Sequence, residues 1–206
     1  MMEESSTDPQ PIKHHKVLAV EGQDEENFFD ALFKHMGILN IGIRDVIGKT
    51  LFKRKLPALK VTTGFENVTH LAIIRDKNSD NAFHSIVNVL IEMKLTPPDN
   101  HGKFSSGKPK VGVFIMPGET IEGIMLEDLC LKTVEDRPVM TCVSEFAACV
   151  CELEDPPKNI SKAKAQAFLA AQTDIVNSVG LGAQKDYWDF DSSVLDELKQ
   201  FLNNLR

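Results

Sequence analysis

Two short apolar runs of this chain end in acidic side chains. Residues 17–20 are followed directly by Glu21, and residues 71–74 lead through Arg75 to Asp76. Four apolar residues between polar ones are typical of a strand that is buried on both faces of a parallel sheet. Ligands of open α/β sheets bind beyond the carboxyl ends of such strands, so we expect both carboxylates at one place. Their oxygens would suit a hard cation such as Mg²⁺.

The turn after the second run adds further oxygen ligands. Asn78 lies two residues after Asp76, a spacing that puts both side chains on one side of an extended segment. Asp80 is either another ligand or the N-cap of the helix that follows. No series of glycines before a Lys-Ser or Lys-Thr pair follows either strand, so a phosphate-cradling loop is not expected.

The alternation of short apolar runs with amphipathic segments predicts an α/β fold, in which helices flank a small parallel, Rossmann-like sheet. Asp24 and Ser161 are the expected N-caps of two helices, and Pro57 is expected to end a short one. Strands are predicted at 16–22, 38–47, 71–76 and 110–116, and further helices at 24–35, 79–93, 139–153, 162–171 and from Ser192 or Ser193 onward. The predicted organisation is a disordered lead-in at 1–13, an α/β domain at 14–130 and a helical C-terminal extension at 131–206, packed on the same core.

Composition narrows the class of protein. The chain has 42% hydrophobic and 26% charged residues, typical of a globular protein, and a formal net charge of −7. No apolar stretch approaches the roughly 20 residues that span a bilayer, and the polar, acidic N-terminus is unlike a signal peptide, so we expect a cytoplasmic protein without membrane contact. The four cysteines have no Cys-x-x-Cys spacing and are predicted to be reduced, core-filling thiols.

Two local clusters each have two interpretations. The basic residues of segment 49–60 form either a solvated connector or a phosphate-facing surface; they are Lys49, Lys53, Arg54, Lys55 and Lys60. Tyr187 and Trp188 either lock the C-terminal extension onto the core or stack on a base, and the first is favoured.

Two motifs also resemble those of a known family. Val-Glu-Gly-Gln-Asp at 20–24 and Ile-Ile-Arg-Asp-Lys-Asn at 73–78 each follow a predicted strand. Together they resemble the Glu-Gly-x-x-Asp turn and the later Asp-x-Asp turn of Toprim domains, with the likeness covering about residues 14–130. Segments 114–118, 123–129, 167–170 and 201–202 also resemble a bacterial family of Toprim-related domains without assigned function.

The resemblance implies roles for particular residues. Glu21 would be the general acid or base, and Asp76 would bind Mg²⁺ or Mn²⁺. Asn78 stands where the family has a second aspartate, and a neutral amide binds Mg²⁺ more weakly than a carboxylate does. The residues that could compensate are Asp80, Glu127 and Asp128, although the last two could equally form a charged face of a surface helix.

Two functions follow from these expectations. The first is a Mg²⁺-dependent phosphodiester enzyme, either a nuclease or a nucleotidyl-transfer module, and it is favoured by Glu21 and Asp76. The second is a Toprim-like module, weak or inactive in catalysis, that binds a nucleotide, a nucleic acid or a protein partner. Asn78 and the acidic net charge favour the second. A topoisomerase-type nucleophile is not expected, since Tyr187 is the only tyrosine and lies far downstream.

Overall fold

A four-stranded, all-parallel sheet flanked by helices forms the centre of the computed structural model, which describes residues 10–45, 52–77 and 81–206. The strand order is β2-β1-β3-β4. The strands are β1 (Lys16–Val20), β2 (Ile41–Asp45), β3 (His70–Asp76) and β4 (Lys110–Met116). The helices of the described residues are α1 (Gln23–Met36), α2 (Phe52–Lys60), α3 (Ala82–Glu92), α4 (Leu126–Thr133), α5 (Val139–Cys151), α6 (Ile160–Ala170), α7 (Val179–Gln184) and α8 (Asp196–Leu202). The predicted α/β class, with a helical C-terminal part, is confirmed.

The middle residues of β1, β3 and β4 are apolar because each face of the sheet has its own hydrophobic core. Leu18, Val20 and Ile74 point to the face that is covered by α1 and the C-terminal helices, and we call the core on this face the first core. Val17, Ala19 and Ile73 point to the opposite face, which α2 and α3 cover, and the core there is the second core. Since successive residues of a strand alternate between faces, two-sided burial requires a continuous apolar run.

The chain reverses its direction of winding at β1. This strand pairs with β2 on one side and with β3 on the other, both in parallel register. The crevice beyond the carboxyl ends of β1 and β3 is therefore the topological switch point, where open α/β sheets bind ligands. Glu21 and Asp76 lie at the ends of these two strands.

Some predicted local features are wrong. Gly22, rather than Asp24, is the N-cap of α1, and the cap of α6 is Asn159, whose side-chain oxygen accepts from the Lys162 N–H at 2.9 Å. Pro57 lies inside α2 rather than at its end. The buried side chains of Leu56 and Leu59 hold α2 against the second core in spite of the proline.

The cysteine prediction is wrong for three of the four residues. All four are free thiols, but only Cys130 is buried. The side chains of Cys142, Cys149 and Cys151 lie on the exposed part of α5. Their exposure arises because α5 buries only a narrow stripe, which includes Val143 and Ala147.

The C-terminal part shares the first core with the sheet. Trp188 is buried, stacks on Phe168 with ring centroids 4.9 Å apart, and donates its Nε1 hydrogen to the Val179 carbonyl at 2.8 Å. Both contacts join Trp188 to helices of the C-terminal part, and Trp188 packs in the core that this part shares with the sheet, as the predicted aromatic lock requires. Ile12, which falls in the predicted disordered lead-in, packs in the second core and donates its N–H to the Thr63 carbonyl at 2.8 Å.

Candidate functional site

Glu21 and Arg75 form a buried ion pair at the carboxyl end of the sheet. The register that sets Ala19 beside Ile73 continues to bring these two residues together. The Arg75 Nε lies 3.3 Å from the Glu21 Oε1, and the exposed fractions of the two side chains are 12% and 5%. The Glu21 carboxylate is therefore held in a fixed place beside a cation.

Asp76 is held at the beginning of α4. Its Oδ1 accepts a hydrogen bond from the Leu126 N–H at 3.1 Å. The next residue, Lys77, donates its N–H to the carbonyl of Ile124 at 2.8 Å. Because these bonds join the end of β3 to the loop before α4, the first turn of α4 lies next to the end of β3.

Asp128 builds that first turn of α4. Its Oδ2 accepts from the backbone N–H groups of Ile124 at 2.8 Å and Met125 at 3.2 Å. The carboxylate can approach only because Gly123, with φ of +143°, has no Cβ, which would lie 2.5 Å from the Asp128 Cβ. The carboxylate of Asp128 thus caps the helix that positions Asp76 and Glu127.

Four carboxylates interact electrostatically at this edge, and we call them the acidic cluster: Glu21, Glu25, Asp76 and Glu127. Burial raises the pKa of Asp76 to about 8, helped by repulsion from the other three carboxylates and opposed by the hydrogen bond from Leu126. Burial also raises the pKa of Glu25 to about 7, with repulsion from Asp24, Glu21 and Glu127 adding to it. At neutral pH Asp76 therefore holds a proton most of the time.

Lys162 of α6 approaches the acidic cluster from outside the sheet. Its Nζ lies 3.3 Å from the Glu127 Oε1. Burial alone would lower the pKa of Lys162, but the Glu127 carboxylate, together with Asp76 and Glu25, outweighs it and raises that pKa. This cation offsets part of the negative charge of the cluster.

The structure brings together three of the predicted site residues. Glu21, Asp76 and Glu127 come together, whereas Asn78 and Asp80 lie outside the described residues. Glu25 belongs to the cluster but was not predicted as a site residue, because an acid in the first turn of a helix is also explained by the helix dipole. Its place four residues after the strand-end Glu21, in the first turn of α1, is the one signal that could have identified it.

A cleft of about 400 Å³ opens at the same end of the sheet, although no member of the acidic cluster lines it. It lies beyond the carboxyl ends of β3 and β4 and is lined by residues that include Lys77, His101, Gly118 and Glu122. Lys77 directly follows Asp76 and is exposed. A substrate in this cleft would therefore meet the lysine that follows Asp76 in the chain.

The donor atoms suit a hard cation, although the carboxylates do not form a closed cage. In the described parts of the chain, no three His, Cys, Asp or Glu side chains are grouped closely enough to hold a metal ion by themselves. Mg²⁺ is commonly bound by only one or two carboxylates and keeps several waters. Asp76 and a neighbouring acid of the cluster fit that requirement, and a cation would relieve their repulsion.

Fold and site together define an α/β protein with an acidic cluster at the switch point of a parallel sheet. The chain belongs to the family described as "Protein of unknown function (DUF3226)", whose family model matches residues 15–206. Comparison with curated proteins gave no match. None of the described helices has the length and apolar character needed to cross a bilayer.

Among solved structures, the chain is similar to the C-terminal region of the OLD protein of Xanthomonas campestris pv. campestris. The form phased with mercury has 15% identity and a TM-score of 0.48, with coverage of 94% of this chain and 97% of that one. The form phased with iodine has 14% identity and a TM-score of 0.47, with the same coverage. At this level the likeness carries no argument about activity.

Proposed function

We propose that this protein is a Toprim-like enzyme that uses Mg²⁺ or Mn²⁺ to process a phosphodiester, as a nuclease or a nucleotidyl-transfer module acting on nucleic acid or a nucleotide. The observation that carries the proposal is the acidic cluster at the switch point, in which Asp76 has a pKa of about 8. Carboxylates whose pKa values are strongly raised by burial and by neighbouring charges are typical of functional sites. The paired motifs around Glu21 and Asp76 point to the same chemistry.

Each residue has a specific part in this proposal. Asp76, with Glu25 or Glu127 beside it, would hold the cation, and Asn78 and Asp80 stay predicted ligands. A bound divalent cation would stabilise the charge that develops on the oxygens of a phosphodiester. Arg75 fixes the Glu21 carboxylate at 3.3 Å, so that it can accept or return a proton at a constant position.

The ion pair of Glu21 also supports the alternative function. A carboxylate next to a guanidinium is a weaker base than one without a cation nearby. This favours a binding module for a nucleotide, a nucleic acid or a protein partner, with weak or no catalysis. The two functions share the cation site and differ in whether Glu21 transfers a proton.

Cleavage assays test the proposal. Labelled single- and double-stranded DNA and RNA are incubated with the protein in Mn²⁺ or in EDTA. We expect cleavage only with Mn²⁺, and a decrease of about 100-fold or more in Glu21→Gln and Asp76→Asn. Glu92→Gln, which removes an exposed acid from the far end of α3, is the matched control and should keep full activity.

Two results would contradict the enzymatic proposal. Undiminished cleavage by Glu21→Gln would assign the activity to another site or to a contaminant. Metal binding without cleavage of any substrate would favour the binding module.

A further inference from the structure

A basic cleft lies at the end of the sheet opposite the acidic cluster. It has a volume of about 620 Å³ and is lined by Lys60, Lys94, Lys108, Lys110 and His70, among others. His70 and Lys110 are the first residues of β3 and β4 and are partners in the strand register. β3 has seven residues, from His70 at this end to Asp76 at the other, so the two ends are roughly 20 Å apart at the usual rise of a strand.

The charge of the basic cleft is opposite to that of the whole chain. Four lysines line the cleft against one acid, Glu66, whereas the chain as a whole has a net charge of −7. The carboxylate of Glu66 is hydrogen-bonded within its own turn, since its Oε2 accepts from the Gly64 N–H at 3.0 Å. None of the ion pairs among residues 10–45, 52–77 and 81–206 includes Lys94, Lys108 or Lys110.

His70 lies among the lysines of the basic cleft. Burial, and then repulsion from Lys110 and Lys16, lowers the pKa of this half-buried imidazole. The Thr69 hydroxyl donates to the His15 carbonyl at 3.0 Å. The His70 Nδ1, 3.0 Å from the same hydroxyl oxygen, must therefore be the donor between those two groups.

The walls of the basic cleft are fixed by the fold. Lys60, at the end of α2, donates from its Nζ to the Met93 carbonyl at the end of α3. The Lys110 N–H donates to the Thr69 carbonyl at 2.9 Å. The lysines thus converge on a concave surface built by elements of the second core, rather than on a loose tail.

We propose that the basic cleft binds the phosphate groups of a nucleotide or of a single nucleic-acid strand. Several lysines in one concave surface offer point charges to phosphate oxygens. The site is separate from the acidic cluster and needs no metal. It uses Lys60, which among the described residues of basic segment 49–60 is the one that lines the cleft. Its existence does not depend on the proposed enzymatic activity.

Binding measured in EDTA tests this site apart from any metal-dependent function. The probes are a fluorescent oligothymidylate, followed by anisotropy, and ATP, followed by calorimetry, both at low salt. In the test variant three lysines of the cleft are replaced together: Lys94→Ala, Lys108→Ala and Lys110→Ala. Lys60 is kept, because its Nζ donates to the Met93 carbonyl. The control variant has the same change of net charge at three exposed, ion-paired lysines: Lys34→Ala, Lys132→Ala and Lys185→Ala.

We expect the test variant to bind about tenfold or more weakly, and the control variant to stay close to wild type. For oligothymidylate, the slope of log K against log salt should be shallower by about 2 in the test variant than in the wild type, about 0.7 for each lysine removed. The probe that binds identifies the source of the phosphate, a nucleotide or a strand. Equal losses in the two variants, or no binding of either probe by the wild type, would overturn the proposal.

Discussion

Replacing Asp76 by asparagine is expected to make the metal-free protein less sensitive to rising pH. The folded-state pKa of about 8 lies above the ordinary value of 3.8, so the folded protein keeps a proton that the unfolded chain has lost. The resulting stability is fully present below about pH 4 and is lost as pH rises through the folded-state pKa. Asparagine cannot ionise, yet its Oδ1 can still accept the hydrogen bond from Leu126.

The size of the effect on stability follows from the shift in the pKa of Asp76. One carboxyl group that is protonated in the folded protein and ionised in the unfolded chain lowers the free energy of unfolding by about 1.4 kcal/mol for each pH unit of increase. Between about pH 5 and pH 8, wild type should therefore lose on the order of 4 kcal/mol relative to Asp76→Asn. The difference between the two proteins should level off above the folded-state pKa.

Urea unfolding in EDTA, repeated across this pH range, measures the difference. Glu92→Gln is the control, because it removes one exposed acid without touching the acidic cluster. Its stability should run parallel to that of wild type. If the curves of wild type and Asp76→Asn were also parallel, Asp76 would not have a raised pKa and the described electrostatics would be wrong.

Three further substitutions test the packing and the ion pair. In Gly180→Ala the new Cβ would lie 2.2 Å from the Asp24 carbonyl oxygen, so α1 and α7 must separate. We expect the free energy of unfolding to fall by an amount on the order of 2 kcal/mol, measured by thermal unfolding. An unchanged Tm would contradict this contact. Phe201→Ala removes a buried ring that packs against two other phenylalanines and should cost about 3–5 kcal/mol in urea unfolding; a loss below about 1 kcal/mol would argue against that packing. Arg75→Met takes the cation away from buried Glu21 and should lower the free energy of unfolding by an amount on the order of 3 kcal/mol. The double variant with Glu21→Gln should recover a part of this stability. No recovery in the double-mutant cycle would reject the ion pair.

Much of the fold could be predicted because burial on both faces of a parallel sheet leaves a direct mark on the sequence. The runs at 17–20 and 71–74 are apolar at every position, as a strand that is buried on both faces requires. The order of the strands also brings these two residues to the switch point. The caps were harder to predict, since Asp24 has the right residue type for an N-cap but its carboxylate instead accepts the Gly180 N–H at 2.6 Å.

The rest of the site depends on contacts between distant segments. Glu25 is identified by burial and by the carboxylates around it, and neither can be read from its position in the first turn of α1. Asp128 was a predicted metal ligand, but its carboxylate accepts hydrogen bonds from the two backbone N–H groups just before α4. The basic cleft joins lysines from three separate segments, so a count of charges along the chain could not find it.

Calorimetric titration of Mn²⁺ into wild type and Asp76→Asn, in two buffers of different ionisation enthalpy, tests the central claim most directly. A cation at the acidic cluster must displace the protons that raised pKa values keep on Asp76 and Glu25 near neutral pH. We predict a single binding site in the wild type, release of about one proton per ion, and loss of both in Asp76→Asn. Equal binding by the two proteins, or no binding by the wild type, would contradict the assignment of this cluster as a cation site.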